Sequence, residues 1–177
     1  MPRDLVHTGR RIRVFVDTTT TPAGEVVRRD LIEHPGAVVI LPVVDAGHVC
    51  LLRNHRFVVG ETLWEIPAGT LEPGEPTLDA AKRELQEETG YTAAAWRPLG
   101  FLYASPGVLD EKLHLFVAEE LTPGPSRPEA GEELEPVTVP LADAVAMCLD
   151  GRIRDCKTVT ALLLWDRLGR RIDAGSG

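Results

Sequence analysis

Three glutamates stand close together in one short segment of the chain, and their spacing could hold a metal ion. Glu84, Glu87 and Glu88 are separated by three and four residues, so a helix would place their carboxylates on one face. At an effective dielectric near 20, two like charges about 4 Å apart repel by on the order of 4 kcal/mol. A divalent cation reverses that sign, because hard oxygen ligands suit Mg²⁺, Mn²⁺ or Ca²⁺. On spacing alone, an ordinary solvated helix face is the competing interpretation.

The sequence around these glutamates forms one continuous motif from Gly69 to Tyr91, GTLEPGEPTLDAAKRELQEETGY. It resembles the Nudix box, Gly-x5-Glu-x7-Arg-Glu-U-x-Glu-Glu-x-Gly-U, where U is an apolar residue, and every fixed position is matched. Tyr91 is a soft departure, since an aliphatic residue is more usual at that position. The resemblance implies an α/β fold, a Nudix-type α/β/α sandwich with a mixed sheet. It also implies metal-dependent hydrolysis of a pyrophosphate bond.

The resemblance further implies which groups bind the cation. Glu84 and Glu88 are the expected direct ligands, Glu87 lies beside them, and the carbonyl of Ala68 completes the site. Mg²⁺ is the expected cofactor, with Mn²⁺ or another divalent cation as a substitute. Mg²⁺ keeps waters and shares its ligand shell with substrate phosphates, which suits a diphosphate substrate.

The local sequence predicts how these groups are held. Arg83 is expected in the catalytic set as a positioning group, because its guanidinium can pair with Glu75 or a neighbouring carboxylate. Gly69 is predicted to adopt backbone torsions closed to other residues. Pro76 suits the first turn of a helix and Gly90 its end, which gives a helix of about 14 residues. The inward-facing residues of this helix are predicted to be Ala80, Ala81 and Leu85.

Features outside the box indicate a substrate class. Pro106 follows Gly90 by 16 residues (106 − 90), within Ser105-Pro106-Gly107. Together with the segment from Trp64 to Gly69, WEIPAG, this resembles the ADP-ribose pyrophosphatase subgroup of the family. Pro106 and Gly107 are therefore expected to contact substrate, although an ordinary turn between two strands is the alternative for this segment alone.

Arg56 matches a subgroup position preceded by Gln-Tyr or Gln-Phe, and the resemblance implies that it grips a phosphate or the terminal ribose. Here Asn54-His55 replaces that pair. Aromatic residues are candidates for stacking on the base, although each is as well explained by core packing: Phe15, Phe57 and Tyr103.

A general base is expected on an acidic loop beyond the box. In the subgroup, a glutamate on such a loop positions or deprotonates the attacking water. The loop contains Glu129, Glu132, Glu133 and Glu135. Glu133 is the first candidate and Glu132 the second, because a mobile glutamate can close over bound substrate. A solvated charge run is the alternative, and Glu87 is the candidate base if none of these four serves.

Composition limits the classes of function. The chain has 177 residues, a formal net charge of −8 and a pI near 5.1, which argues against nonspecific nucleic-acid binding. Its three cysteines are predicted to be reduced, with Cys50 and Cys148 buried in apolar stretches. The first residues contain no apolar signal region and no stretch approaches a membrane span, so a cytoplasmic protein without membrane contact is expected.

Strands outnumber helices in the coarse pattern. Residues 1–35 read as an antiparallel strand unit, 36–170 as the Nudix catalytic domain and 171–177 as a flexible tail. The first unit is a short β-hairpin around TTTTPAG, and two strands alone are marginal in water. In ADP-ribose pyrophosphatases a similar unit exchanges between subunits, so the resemblance implies a homodimer with exchanged N-terminal strands. The last helix, 157–168, is apolar almost all round and is expected to be mostly buried.

Three functions follow from these observations. The first is hydrolysis of ADP-ribose to AMP and ribose 5-phosphate. The second is hydrolysis of another nucleotide, such as a GDP- or UDP-sugar. The third is a noncatalytic Nudix domain that senses a nucleotide; a sensor usually loses box carboxylates, and this chain retains all of them.

Overall fold

The computed structural model describes residues 3–127 and 133–174, with side chains described as far as residue 168. Within these residues the strands are β1 (Arg3–Thr8), β2 (Arg13–Thr20), β3 (Val26–Glu33), β4 (Ala37–Asp45), β5 (His48–Arg56), β6 (Glu61–Glu65), β7 (Ala68–Thr70), β8 (Thr92–Tyr103), β9 (Lys112–Thr122) and β10 (Leu134–Pro140). The helices are α1 (Thr77–Thr89), α2 (Leu141–Leu149) and α3 (Cys156–Ala174). None of the helices in this part of the chain has the length and apolar character needed to cross a membrane.

The larger sheet contains seven strands, with the central order β10-β5-β4-β9-β8. Strands β4 and β9 run parallel, from Ala37 opposite Leu113 onward, and the other pairings are antiparallel. Strand β6 pairs with β5, and β7 pairs with β4. The predicted mixed sheet is therefore confirmed, and β7 places the start of the predicted metal loop against the centre of the sheet.

Helices cover both faces of this sheet. Val38 and Ile40 of β4 pack in one core with α1, which contributes the predicted inward residues Ala80, Ala81 and Leu85. Val39 and Leu41 pack in a second core with α2 and α3. Alternate residues of a strand point to opposite faces, so β4 is buried on both. This arrangement is the predicted α/β/α sandwich.

The N-terminal unit has three strands rather than the two of a hairpin. Strand β1 pairs antiparallel with β2, which pairs with β3. Arg3 of β1 binds Asp17 at 3.1 Å and Glu33 at 2.9 Å. These ion pairs help to hold β1, in which apolar and polar residues do not alternate regularly. Between β3 and β4 the chain leaves the three-stranded sheet and enters the larger one, close to the predicted boundary after residue 35. The division into domains stays a prediction.

Strand β8 starts earlier than its sequence suggests. The apolar pattern of the sequence predicts a strand from Leu99 to Ala104, but β8 begins at Thr92, three residues after the end of α1. Its pairing register with β9 shifts between Pro98 and Gly100, and Gly100 has a positive φ of 97°. This β-bulge interrupts the alternation of apolar and polar residues by which a strand is identified, so the first half of β8 was missed.

Helix α3 is longer and less buried than predicted. It continues to Ala174, into the segment that was predicted to be a flexible tail from residue 171 onward. Thr158, Ala161 and Leu162 are buried, whereas the apolar residues Leu163, Leu164 and Leu168 are 36–39% exposed. As an outer-layer helix, α3 buries one face against the sheet, so its remaining apolar residues reach the surface.

Candidate active site

Helix α1 carries the three glutamates in its last two turns. Its C-terminal cap, Gly90, has a φ of 76°, the left-handed conformation that glycine adopts without strain. Glu88 is 5% exposed, and the side chains of Glu84 and Glu87 are 12% and 34% exposed. The helix has 13 residues, one fewer than predicted. The carboxylates therefore lie near the sheet rather than in open solvent.

Arg83 binds several carboxylates at once. Its Nε and Nη2 donate to the two oxygens of Glu75, each at 3.0 Å. Its Nη1 donates to Glu84 at 2.6 Å and to Glu87 at 3.1 Å. The hydrogen bonds from Arg83 lower the pKa of Glu75 below its ordinary value. The pairing with Glu75 is the one that the sequence predicts.

Gly69 is required for space rather than for an unusual backbone torsion. It is not among the described glycines with positive φ, so the predicted reason is wrong. A Cβ at this position would lie 1.8 Å from the carboxylate of Glu84. Next to it, the backbone N–H of Ala68 donates to Glu88 at 3.0 Å. The start of β7 and the end of α1 therefore approach each other as closely as a glycine permits.

These groups fit a hard divalent cation by their chemistry. The carboxylates of Glu84 and Glu88 offer hard oxygen atoms and lie against Gly69 and Ala68, where the close approach of Glu84 leaves no room for a Cβ at position 69. The Ala68 carbonyl would supply a third oxygen. In the described residues no three acidic, histidine or cysteine side chains converge as a ready-made metal site. Two of the carboxylates, those of Glu84 and Glu87, are turned to Arg83 instead. The ligand set predicted from the sequence stays a prediction.

A second charged cluster includes a buried glutamate of β6. Glu65 is 2% exposed and accepts hydrogen bonds from Arg56 Nε at 2.8 Å and Arg56 Nη2 at 2.6 Å. Lys157 Nζ donates to the same carboxylate at 2.7 Å and lies 2.9 Å from Asp155. Burial raises the pKa of Glu65, but the hydrogen bonds and charges of Arg56 and Lys157 outweigh it, so the pKa lies below its ordinary value.

Both clusters face one cleft of about 690 Å³. A cavity of this size is within the range of small-molecule sites. Basic side chains from different parts of the chain line it, two of them in the turn between β1 and β2: Arg10, Arg11, Arg56, Arg83 and Lys157. Ala68, Gly69 and Glu84 line it as well. The cleft thus joins the predicted metal groups to cations that suit phosphate.

Other predicted site residues lie outside the lining of this cleft. Pro106 and Gly107 are exposed in a turn where Val108 and Leu109 donate to the Ser105 carbonyl. The cleft instead includes Ala104 and Glu111, which flank this loop. Phe15 lies on β2 beneath the guanidinium groups of Arg3 and Arg13, 5.5 and 5.7 Å from its ring centroid.

The remaining stacking candidates are on the surface. Phe57 is 86% exposed at the turn between β5 and β6, and Tyr103 is 49% exposed beside Phe101. Of the candidate bases, Glu129 and Glu132 lie outside the described residues. Glu133 is exposed directly before β10. Among the cysteines, Cys50 is buried as predicted, whereas Cys148 is only partly buried.

Comparison with known proteins identifies the family. A family model described as the NUDIX domain matches residues 33–161. The chain belongs to the NUDIX family. It is 37% identical over 162 residues to an ADP-ribose pyrophosphatase of Bacillus subtilis (strain 168), covering 90% of this chain and 88% of the relative. It is 35% identical over 164 residues to an ADP-ribose pyrophosphatase of Mycobacterium tuberculosis (strain ATCC 25618 / H37Rv), covering 90% and 79%.

A solved structure agrees with this assignment. The crystal structure of an ADP compounds hydrolase superposes with a TM-score of 0.85 at 26% sequence identity, covering 97% of this chain and 94% of that one. The Nudix fold and the resemblance to ADP-ribose pyrophosphatases are therefore confirmed, and the protein is a Nudix pyrophosphohydrolase.

The Nudix box does not include the second charged cluster, and the sequence prediction missed Glu65, Asp155 and Lys157. Two local signals were present. Glu65 is a lone charge between Trp64 and Ile66, in a segment otherwise suited to a buried strand. Asp155 stands directly before α3, where a helix N-cap is expected, and its carboxylate accepts from the Thr158 backbone N–H at 3.0 Å.

Proposed function

We propose that this Nudix enzyme hydrolyses ADP-ribose to AMP and ribose 5-phosphate with a divalent cation. The observation that carries the proposal is the cleft in which Glu84 of α1 and its partner Arg83 stand beside Arg56 and Lys157. A diphosphate brings negative charge that requires both cations and metal-ligating oxygens. The names of the two ADP-ribose pyrophosphatases, which match over 90% of this chain, support ADP-ribose as the substrate.

Each group has a role in this proposal. Glu84, Glu88 and the Ala68 carbonyl hold the cation, which when bound neutralises the diphosphate and activates a water. Arg83 fixes Glu84 and Glu87 from one side. Arg56 binds a substrate phosphate or the terminal ribose. Mg²⁺ is the proposed cation, because it accepts a shell completed by waters and phosphates, and Mn²⁺ is the expected substitute.

Glu133 is the proposed general base. Leu134 of β10 pairs with Asn54 of β5. Continuing this register by one residue sets Glu133 opposite His55, next to Arg56 at the end of the strand. Glu133 is also exposed, so its carboxylate is accessible to a water molecule. Glu132 is the second candidate, and Glu87 is the third.

Substrate turnover with Mg²⁺ tests the proposal. The panel contains ADP-ribose, GDP-mannose, UDP-glucose, NADH and a diadenosine polyphosphate, with products separated by ion-exchange chromatography. We expect ADP-ribose to give the highest kcat/KM and to yield AMP and ribose 5-phosphate. Glu88→Gln should lower kcat at least about 10²-fold, because several kcal/mol of transition-state stabilisation depends on the metal.

Glu119→Gln is the matched control, since Glu119 pairs with Arg97 on β8 away from the cleft. Higher kcat/KM for GDP-mannose or UDP-glucose would replace the substrate and keep the enzyme class. Tight nucleotide binding without turnover of any panel member would favour a sensor.

The wider setting of the enzyme also remains a proposal. We infer a homodimer in which N-terminal strands are exchanged, no nucleic-acid partner, no membrane partner and a cytoplasmic location. The acidic charge of −8 and the described free cysteines, Cys50, Cys148 and Cys156, support this setting. Pro106, Gly107 and Phe15 stay candidates for substrate contact, and the exchanged unit of a dimer is what would bring Phe15 to a second cleft.

A further inference from the structure

The buried carboxylate of Glu65 serves two cations that line the cleft. Its Oε1 accepts from Arg56 Nε, and its Oε2 accepts from both Arg56 Nη2 and Lys157 Nζ, at 2.6–2.8 Å. The bond pattern to Arg56 is bidentate, which fixes the plane of the guanidinium as well as its place. Glu65 thus determines the orientation of a side chain that is itself 45% exposed.

The support of Glu65 is rigid because two successive residues of α3 bind two successive residues at the end of β6. Lys157 donates to the Glu65 carboxylate, and the Thr158 hydroxyl accepts from the Ile66 backbone N–H at 3.0 Å. Thr158 is fully buried and is also bound to Asp155. Neither Glu65 nor Lys157 can therefore move without disturbing the start of α3.

Arg56 keeps donors for a ligand after binding Glu65. Two of its nitrogens, Nε and Nη2, are engaged. Across residues 3–127 and 133–168, no hydrogen bond from its Nη1 is found, and the side chain lines the cleft. The geometry presents the free edge of a fixed guanidinium to the space where the proposed diphosphate lies.

We propose that Glu65 is a positioning residue for substrate, which orients Arg56 to bind a phosphate and is itself held in place by Lys157. The proposal rests on the proposed function, because it needs a phosphate-bearing substrate in this cleft. The charges of the four groups Arg56, Lys157, Glu65 and Asp155 add to zero, so the cluster supplies orientation rather than a surplus of positive charge. Its effect therefore passes through the geometry of Arg56.

Replacement of Glu65 by glutamine would preserve volume and remove this geometry. Three donors converge on the carboxylate, and an amide offers one oxygen acceptor and one nitrogen donor. At least one of Arg56 and Lys157 would then face the amide nitrogen. We expect the guanidinium to leave its fixed orientation in Glu65→Gln.

A double-mutant cycle tests this inference by equilibrium binding. ADP-ribose is titrated calorimetrically in EDTA into the wild type, Arg56→Ala, Glu65→Gln and the double variant. We expect each single variant to raise Kd about 10-fold or more, the range for a lost charge-assisted hydrogen bond. The double variant should bind no more than about 3-fold more weakly than Arg56→Ala, because Glu65 acts through Arg56.

Glu119→Gln is the control, since Glu119 pairs with Arg97 on β8 and lies outside the lining of the cleft. It removes an ion-paired carboxylate of the same kind and should leave Kd unchanged. Tighter binding by Glu65→Gln would overturn the proposal, because Glu65 would then only repel the substrate. Additive losses in the double variant would overturn it as well.

A second pair of variants tests the proposal if Glu65→Gln does not fold. Lys157→Arg keeps the charge beside Glu65 and should bind ADP-ribose within about 3-fold of the wild type, whereas Lys157→Met should bind about 10-fold more weakly. Equal binding by the two would contradict the proposal. If the wild type prefers another nucleotide, the substrate assignment fails, and the same cycle is run with that nucleotide, so the two failures are distinguishable.

Discussion

Arg83 gives the carboxylates of α1 a positive partner within the protein itself. One guanidinium reaches Glu75, Glu84 and Glu87, at distances of 2.6–3.1 Å. Without it, each close pair of carboxylates would repel by on the order of 4 kcal/mol at an effective dielectric near 20. Arg83 therefore holds Glu84 and Glu87 close together while itself binding only one oxygen of each, so it does not block the other oxygen from the proposed cation.

A Cβ at Gly69 should impair the metal site. In Gly69→Ala the new atom meets the Glu84 carboxylate at 1.8 Å, so that side chain must move. We expect the Mg²⁺ concentration for half-maximal activity to rise at least about 10-fold, as for a displaced group at a metal site. Mg²⁺ titration of turnover measures it. Gly47→Ala is the control, since the nearest atom to its Cβ would be Asp45 Oδ1 at an ordinary 3.8 Å. An unchanged Mg²⁺ dependence in Gly69→Ala would refute the prediction.

Removing the proposed base should affect turnover more than binding. Glu133→Gln is expected to lower kcat by about 10²–10⁴-fold with little change in KM, because it removes proton transfer and preserves shape. Steady-state kinetics on ADP-ribose measure both values. Glu119→Gln is the control, because Glu119 pairs with Arg97 and lies outside the lining of the cleft. If Glu133→Gln retains wild-type kcat, Glu132 and then Glu87 are the next candidates.

At the scale of elements, the loop before α1 is tied to the helix that follows it. Glu75 precedes α1, accepts two hydrogen bonds from Arg83 and accepts a third from the Glu72 backbone N–H at 3.1 Å. These contacts fix the entry to the helix, whose N-cap residue, Pro76, makes no side-chain hydrogen bond. The Glu75–Arg83 pair thus stabilises a helix start that has no side-chain cap.

The pH dependence of stability should reveal this pair. Because the hydrogen bonds of Arg83 lower the pKa of Glu75 in the folded state, its contribution is present above the ordinary value of 4.5 and is lost as the pH falls through the lowered pKa. At pH 7, Glu75→Gln should cost about 2 kcal/mol, or roughly 4–8 °C in Tm. Thermal melts from pH 7 to pH 2 should show the difference in Tm between the wild type and Glu75→Gln shrinking toward zero. A difference in Tm that stays constant with pH would contradict a stabilising Glu75–Arg83 ion pair.

Prediction from the sequence succeeded where function is encoded locally. The carboxylates, Arg83 and the caps of α1 lie within a single 23-residue motif, so their spacing determines their geometry. The hydrogen bonds between Ile66 and Thr158 and between Glu65 and Lys157 each join residues that are 92 positions apart. The spacing of residues within a short segment cannot predict such contacts. Likewise β7 has only 3 residues and depends on pairing with β4. The second charged cluster and strand β7 therefore depend on contacts between distant parts of the chain, which a local sequence pattern does not indicate.

At the scale of the whole molecule, a loop of the larger sheet joins the two sheets. Ile32 of β3 donates to the Val108 carbonyl at 2.7 Å and accepts from the Asp110 N–H at 3.1 Å. The loop is the one that contains Pro106 and Gly107. Apolar side chains on the N-terminal strands stay exposed in the single chain, among them Leu5 at 53%, Val6 at 58% and Val26 at 67%. Exposed apolar residues of this kind suit a subunit interface.

The proposed dimer predicts a measurable mass. Sedimentation equilibrium at micromolar concentration should give twice the 19.3 kDa of one chain. Val6→Glu should shift the mass toward the monomer, because a charge would be buried at the interface. Val59→Glu is the control, since Val59 is also 58% exposed but lies in the turn between β5 and β6. A monomeric mass for the wild type would exclude the dimer.

The contact between α3 and the end of β6 also fixes when the enzyme becomes complete during synthesis. The box and most of the sheet emerge from the ribosome before Lys157 and Thr158, which bind Glu65 and Ile66 synthesised 92 positions earlier. Until those residues arrive, the Glu65 carboxylate has Arg56 as its cation and lacks its second. The nascent chain therefore carries its proposed metal-binding helix well before the proposed phosphate-binding wall of the cleft is complete, so catalytic competence is expected only after the start of α3 has been synthesised.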